Sequence, residues 1–167
     1  MLLTTEYSRI QMKDVSATAG VALGTTYRYF TSKDHLMAEA LLEWGTRFPS
    51  VRSGAGRSEG RSVDQLKRAF RTAVRAFEPH PTAYGAVATL QQSADPHAAR
   101  LFAQFAANQV EAFERFLPRL TPERRRNVVR VMNAVTQTHL QSWAVGRERI
   151  EQVYEMVDVT AELLLGD

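Results

Sequence analysis

We predict an all-α fold for this chain of 167 residues, and three observations support the prediction. Apolar residues recur at intervals of three and four positions along most of the chain, which is the spacing of one helical face. Asp95-Pro96 and Thr121-Pro122 are typical helix starts, because an N-cap side chain followed by proline suits the first turn. No segment alternates between apolar and polar residues for long enough to predict a strand.

The periodic segments predict about eight helices. A short helix begins near Met12 and runs into Gly20, and a second short helix carries Thr25 to Tyr29. Pro49 ends the third segment, and a stretch rich in Gly, Ser and Arg follows it. The other predicted segments run through residues 36–48, 62–77, 81–90, 96–117, 121–146 and 150–166.

The first two short helices have the form of a helix-turn-helix unit, in which a glycine-containing turn joins two helices. The second helix of such a unit enters the major groove of DNA. Its hydroxyl, aromatic and cationic side chains suit a surface pressed against phosphates. A helical hairpin whose Tyr27, Tyr29 and Phe30 belong to the core explains the same spacing, so both interpretations stay open on spacing alone.

Composition excludes several classes of site. The chain has no cysteine, which rules out disulfides, thiolate metal sites and a cysteine nucleophile. The histidines at positions 35, 80, 97 and 139 form no metal-binding spacing, and no Gly-rich phosphate loop or nucleophile elbow occurs. We therefore predict no catalytic residue, no metal, no cofactor and no enzymatic activity. No apolar run is long enough to span a membrane or to form a signal peptide, so we expect a cytoplasmic protein.

The basic charge of the chain lies outside the proposed helix-turn-helix. Residues 1–48 hold five Lys or Arg and five Asp or Glu, whereas residues 49–78 hold seven and three. This distribution counts against the N-terminal unit as an electrostatic footprint for nucleic acid. We expect the segment 49–62 to be a mobile loop; the alternative is a DNA contact by its arginines and the nearby Arg47, namely Arg47, Arg52, Arg57 and Arg61.

The literal residues carry more information than their spacing. The string resembles the DNA-binding signature of TetR-type transcriptional regulators through Asp14-Val15, Ala19-Gly20-Val21, Gly24-Thr25-Thr26-Tyr27-Arg28-Tyr29-Phe30, Ser32-Lys33 and Leu36-Met37. The resemblance covers about the first 45 residues. It implies a DNA-binding domain at residues 1–33 and a ligand-binding and dimerisation bundle at residues 34–167. It also implies double-stranded operator DNA and a small effector as partners. Of the two directions of control, it favours repression over activation.

The same resemblance assigns roles to single residues. Thr25, Tyr29 and Lys33 would clamp phosphates, and Tyr27 would be partly structural. The residues nearest the base edges would be Ala22, Leu23, Thr26 and Arg28. Independently of the resemblance, Lys13 is a candidate because its charge could share one face with Arg28 and Lys33, and Gly24 because a glycine allows close backbone approach. Ala22 stands where serine is common, so the second helix loses a side-chain cap and a contact.

Aromatic residues concentrate in the middle helices. A packed core explains each of them singly, whereas the resemblance implies an apolar ligand cavity among these helices. Our pocket candidates are Phe70, Phe77, Tyr84, Phe102, Phe105, Asn108, Phe113, Gln137 and Trp143. The last two helices would either cover the chain's own core or, as the resemblance implies, form half of a four-helix homodimer bundle.

Two further expectations concern the ends of the chain. Only residues 1–11 precede the first short helix, too few for the helix that such regulators have there. Val15, Ala19, Val21 and Phe30 would then be poorly covered, and the N-terminal part would be mobile or bind DNA weakly.

The segments Ile10–Val15, Gly24–Lys33 and Leu164–Asp167 resemble an actinobacterial subgroup that represses steroid catabolism, which implies a bulky hydrophobic or acyl-CoA-like effector.

A different class of function accounts for the helical bundle equally well. The alternative is a helical protein–protein adaptor or a ligand-binding module that does not bind DNA. It leaves the string from Gly24 to Lys33 unexplained, whereas the regulator accounts for both features.

Overall fold

The computed structural model describes residues 1–46 and 62–166; the regular secondary structure among them is helical, and they contain no strand. The all-α prediction is confirmed. A 3-10 helix at Tyr7–Arg9 precedes eight described α-helices. The helices are α1 (Met12–Ala19), α2 (Leu23–Tyr29), α3 (Lys33–Thr46), α4 (Ser62–Phe77), α5 (Pro81–Leu90), α6 (Pro96–Glu114), α7 (Pro122–Ala144) and α8 (Ile150–Leu165).

The side chains that predicted two helix starts act as N-caps. One carboxylate oxygen of Asp95 accepts hydrogen bonds from the backbone N–H groups of His97 at 2.8 Å and Ala98 at 3.0 Å. The Thr121 hydroxyl accepts from the backbone N–H of Arg124 at 3.3 Å. Both contacts satisfy donors that a helix leaves unpaired in its first turn. The predicted loop at 49–62 lies, apart from Ser62, outside the described residues.

The described residues divide into two compact units. The first unit contains residues 1–46 and 80–105, and the second contains residues 62–79 and 106–166. Helix α6 contributes its first part to one unit and its second part to the other. This division follows packing and does not coincide with the predicted domain boundary at residues 33 and 34, which stays a prediction.

Each unit has an apolar core of its own. In the first unit the 3-10 helix and α3 both pack against α5, and the buried residues include Ile10, Met37, Tyr84 and Leu90. In the second unit α8 packs against both α4 and α7. The buried residues there include the following: Leu66, Phe70, Val74, Phe113, Leu117, Val129, Met132, Val153 and Val157.

Candidate nucleic-acid interface

The turn between α1 and α2 depends on Gly20. Its φ of 68° lies in the left-handed region, which costs a residue with a Cβ atom far more than it costs glycine. The backbone N–H groups of Gly20 and Val21 donate to the carbonyls of Ala17 at 3.2 Å and Ser16 at 3.0 Å, which closes the end of α1. The chain thereby turns within a few residues and enters α2, as the helix-turn-helix prediction requires.

A buried pair of hydroxyl groups joins the two helices. The oxygens of Ser16 on α1 and Thr26 on α2 lie 2.6 Å apart, and both residues are buried. The Ser16 hydroxyl also reaches the carbonyl oxygen of Met12 at 2.8 Å, a contact in which serine must donate. Since a hydroxyl has one hydrogen, Thr26 must donate to Ser16. The result is a directed chain from Thr26 through Ser16 to the backbone of α1.

Every residue of helix α2 except Thr26 is exposed to solvent. Leu23, Tyr27 and Tyr29 are exposed by 42%, 50% and 70% of their surface, and Arg28 is exposed beside them. A Cβ built on Gly24 would meet no atom within 4 Å, so this face stands open to an approaching surface. The predicted DNA-binding residues exposed in the structure are Lys13, Ala22, Leu23, Gly24, Thr25, Arg28 and Tyr29.

Two predicted contact residues lie elsewhere than on this open face. Thr26, assigned to base edges from the sequence, is buried with its hydroxyl bound to Ser16, so we remove it from the base-reading set. Lys33 is half-buried, and its ammonium donates to the backbone carbonyl oxygen of Tyr7 at 3.1 Å. The same ammonium lies 4.3 Å from the centre of the Tyr7 aromatic ring. An ammonium has three donors, so a phosphate contact by Lys33 would use the remaining ones.

Tyr7 connects the N-terminal segment to α3 and to the loop before α6. Its hydroxyl donates to one carboxylate oxygen of Asp34, and the Ser93 hydroxyl donates to the other. Burial and the hydrogen bond to Asp34 raise the pKa of Tyr7 well above its usual range, so the phenol stays protonated. The junction Tyr7–Asp34–Ser93 therefore ties the start of α3 to two other segments of the first unit.

Ser32 and Asp95 extend this junction. The pKa of Asp95 is lowered by hydrogen bonds to its carboxylate. The largest effect comes from the Ser32 side chain, and the next largest comes from the backbone N–H of Ala98. The Ser32 hydroxyl in turn accepts from the backbone N–H of His35 at 3.0 Å, in the first turn of α3. The rings of His35 and His97 stack with centroids 4.6 Å apart. The beginnings of α3 and α6 are thus held together by named polar and aromatic contacts.

The coverage of the helix-turn-helix is uneven. Val21 is 45% exposed and Ala19 is also exposed, whereas Val15 and Phe30 are half-buried. Ile10, which directly follows the 3-10 helix, is 2% exposed. The N-terminal segment thus inserts one apolar side chain into the first unit, while part of the apolar surface of the helix-turn-helix faces solvent, in line with the expectation of incomplete cover.

The predicted pocket residues are divided between the two units. Phe70 and Phe113 stack in the second unit with ring centroids 4.1 Å apart, and both are buried. In the first unit, Phe102 and Phe105 meet edge to face at 6.5 Å.

The two polar pocket candidates, Asn108 and Gln137, are exposed, which differs from the prediction, since a ligand-orienting group has to face the interior. Tyr84 is buried in the first unit, and desolvation raises the pKa of its phenol above the usual range. Phe77 and Trp143 are half-buried. These residues remain pocket candidates and carry no geometry of a cavity.

Residues 1–46 and 62–166 lack two other kinds of site. No group of three metal-ligating side chains occurs among them. None of their helices combines the length and the apolar character that a membrane span needs.

The geometry defines a class of protein: a helix-turn-helix with an exposed second helix, followed by a helical body. Comparison with known families identifies it further. Residues 4–40 match the family described as bacterial regulatory proteins, tetR family, and residues 60–164 match the tetracyclin repressor-like C-terminal domain. The chain belongs to the TetR family of transcriptional regulators, so the interpretation as a regulator and not an enzyme is confirmed.

Individual relatives agree with this assignment. The chain is 31% identical over 163 residues to the HTH-type transcriptional repressor KstR of Rhodococcus jostii, covering 96% of this chain and 76% of that protein. It is 30% identical over 165 residues to the KstR repressor of Mycobacterium tuberculosis, covering 96% of this chain and 74% of the relative. The resemblance to a steroid-catabolism subgroup thus leads to the KstR repressors, and the likeness to them is confirmed.

Solved structures show the same fold. A TetR transcriptional regulator from Rhodococcus sp. RHA1 superposes with a TM-score of 0.78 at 22% identity, covering 98% of this chain and 88% of that chain. A TetR-like regulator from the same organism gives a TM-score of 0.67 at 18% identity, covering 96% and 87%. At these identities the likeness concerns the fold alone.

Sequence reasoning missed the residues that hold the interface in place. Ser16, Tyr7, Asp34 and Ser93 were not singled out, because each is a common polar residue whose partner lies far along the chain. Only Ser16 left a signal, since a serine on the apolar side of an amphipathic helix needs a buried partner.

Proposed function

We propose that this protein is a transcriptional repressor that works in the cytoplasm, binds a near-palindromic operator as a homodimer, and leaves it when a small hydrophobic effector binds. The observation that carries the proposal is the exposed face of α2 within the matched tetR segment. The similarity to the KstR repressors supports repression as the direction of control.

The contacts of α2 divide into two kinds under this proposal. Thr25, Tyr29 and Lys33 carry hydroxyl or ammonium donors, which suit phosphate oxygens and carry no sequence information. Arg28 is exposed and can donate two hydrogen bonds to guanine in the major groove. The first set should set affinity, and Arg28 should set sequence preference.

Dimerisation is supported by the surface of the last two helices. Val131 on α7 is 44% exposed, and Val159 and Leu163 on α8 are 42% and 80% exposed. Val153 and Val157 on α8 are fully buried within the protomer. A twofold dimer would place two recognition helices about 34–36 Å apart, which is one turn of DNA.

The effector is the least specified partner. Its proposed hydrophobic character follows from the aromatic residues of the middle helices. An effector releases DNA only if it prefers the conformation that does not bind the operator, because equal affinity for both conformations shifts nothing.

Operator binding is tested by fluorescence anisotropy on the DNA upstream of the protein's own gene. The logarithm of the binding constant should fall linearly with the logarithm of salt concentration, with a slope of about −0.9 for each phosphate contact. Tyr29→Phe and Lys33→Ala should weaken binding to specific and non-specific DNA alike, and Lys33→Ala should also flatten the slope. Arg28→Ala should change the preferred sequence.

Arg68→Ala is the matched control, because Arg68 is exposed on α4 and its loss removes the same charge. It should leave both affinity and preference unchanged. Binding that is absent, or that does not respond to salt, would contradict the proposal and favour a helical adaptor.

A further inference from the structure

We propose that the first turn of α2 reads thymine through the C5-methyl groups, with Leu23 as the principal contact and Ala22 beside it. This inference rests on the proposed operator binding and adds which chemical feature of the DNA is recognised. It predicts that each operator half-site carries a thymine opposite Leu23.

The position of these residues places them at base edges. In a helix-turn-helix the N-terminal residues of the second helix contact the bases in the major groove. Ala22 is the N-cap of α2 and Leu23 is its first residue, and both are exposed. A single exposed leucine on a protein surface is ordinary. At a position that faces the bases, however, an exposed leucine would make an apolar contact with a base edge.

The first turn offers the bases few hydrogen-bonding side chains. Ala22, Leu23 and Gly24 have none, and Thr25 belongs to the phosphate set. The Thr26 hydroxyl would be the next candidate, but it is buried and donates to Ser16. Recognition by this turn therefore rests on apolar contact.

Thymine is the base that makes a favourable contact with an apolar side chain in the major groove. It alone among the four bases carries a methyl group there, and alanine and other apolar groups contact that methyl. Burying Leu23 against it removes apolar surface of both partners from water, which is favourable. The same contact with cytosine would place an apolar side chain against an amino donor that loses its water.

Tyr27 and Arg28 divide the rest of the open face. Tyr27 lies one turn after Leu23 on the same side of α2 and is 50% exposed, so its ring extends the exposed apolar surface that begins at Leu23. Arg28 lies one turn after Gly24, which leaves room for its side chain to reach guanine. The expected half-site thus combines thymine at the start of α2 with guanine near its end.

The test replaces thymine by deoxyuridine, which differs by the missing methyl group alone. A binding site is first selected from a random duplex library, and each thymine in it is then replaced singly by deoxyuridine. Replacement at the position read by Leu23 should weaken binding by about fourfold for each methyl group removed, the value of one buried methylene. The measurement is fluorescence anisotropy at constant salt.

Protein variants assign the effect to its side chain. With Leu23→Ala the same replacement should change affinity by less than about twofold, because the contact is already lost. Arg68→Ala on α4 is the control and should keep both the affinity and the full sensitivity to the methyl group. Circular dichroism confirms that both variants are folded, which is expected since both side chains are exposed.

The outcomes separate the two proposals. Deoxyuridine duplexes that bind as tightly as thymine duplexes at every position would overturn thymine reading and leave operator binding intact. Equal sensitivity in wild type and Leu23→Ala would remove Leu23 from the contact. A library that yields no enriched site would overturn both proposals.

Discussion

The two hydroxyl groups between α1 and α2 set how the recognition helix is held. Ser16 and Thr26 are 2% and 6% exposed, and their contact crosses from one helix to the other. A net contribution of about 1 kcal/mol is usual for such a bond, whereas leaving one partner unsatisfied costs about 1–3 kcal/mol. The asymmetry means that the pair tolerates joint removal better than removal of Ser16 alone, which would leave the Thr26 hydroxyl without its acceptor.

A double-mutant cycle checks this at the level of single residues. Ser16→Ala should destabilise the protein by about 1–3 kcal/mol, because it leaves the Thr26 hydroxyl buried without an acceptor. Thr26→Val should cost less, since the Ser16 hydroxyl keeps its bond to the Met12 carbonyl. Urea unfolding of both variants and of the double variant gives the coupling energy.

The double variant should be less destabilised than the sum of the two single variants. Additive effects would show that the hydroxyl groups are not coupled. Because the Thr26 hydroxyl is buried against Ser16, Thr26→Val should leave the sequence preference for DNA unchanged, which separates positioning from base reading.

At the level of elements, the polar side chains at helix starts connect segments that are distant in sequence. Asp95 caps α6 and is bound by Ser32, while Asp34 in the first turn of α3 is bound by Tyr7 and Ser93. A carboxylate near a helix N-terminus is also favoured by the helix dipole. These contacts make the starts of α3 and α6 one connected junction within the first unit.

The Asp95 cap predicts an acid-sensitive contribution to stability. Its pKa is lowered in the folded state, so the contribution is fully present above the unfolded value of about 3.9 and is lost as the pH falls through the folded value. Asp95→Ala should cost about 0.5–2 kcal/mol at pH 7. Urea unfolding at pH 7 and at pH 3 measures the difference.

The gap between wild type and Asp95→Ala should narrow at the lower pH. Asp95→Asn is the control, because asparagine keeps the capping geometry without the charge. A gap that stays constant between the two pH values would mean that the charged form of Asp95 contributes nothing.

At the level of the whole molecule, the exposed strip on α8 bears on assembly. Val159 and Leu163 lie one turn apart, so they share one face of the helix. Exposed apolar residues that form a contiguous face are typical of protein–protein interfaces. This strip is the described surface on which the proposed homodimer depends.

Leu163→Glu should weaken the dimer by at least about tenfold, because burying a leucine side chain is worth about 1.5–3 kcal/mol and both protomers lose it. Sedimentation velocity across a concentration series measures the change. Val145→Glu is the control, since Val145 is 66% exposed but lies beyond the end of α7. A dimer that survives Leu163→Glu unchanged would exclude α8 from the interface.

Most of the fold could be predicted because its determinants are local. Helical periodicity, the caps at Asp95 and Thr121 and the left-handed Gly20 act within a few residues of themselves, so they can be read from the string. The same holds for the exposed members of the recognition helix, whose residue types carried the family resemblance. The polar pocket candidates Asn108 and Gln137 are exposed in the structure. An error of one residue in helical phase moves a side chain to another face, so the sequence alone does not determine which way such a residue points.

The sequence by itself therefore determined an all-α chain with a helix-turn-helix and the family to which that unit belongs. The tertiary structure alone decided which residues of the unit are available to DNA. The sequence predicted Thr26 as a DNA-contact residue, yet its hydroxyl is buried against Ser16. Leu23, three positions earlier, is exposed. The physical reason is that burial and hydrogen-bond pairing depend on what packs across a helix, and that neighbour is set by the fold.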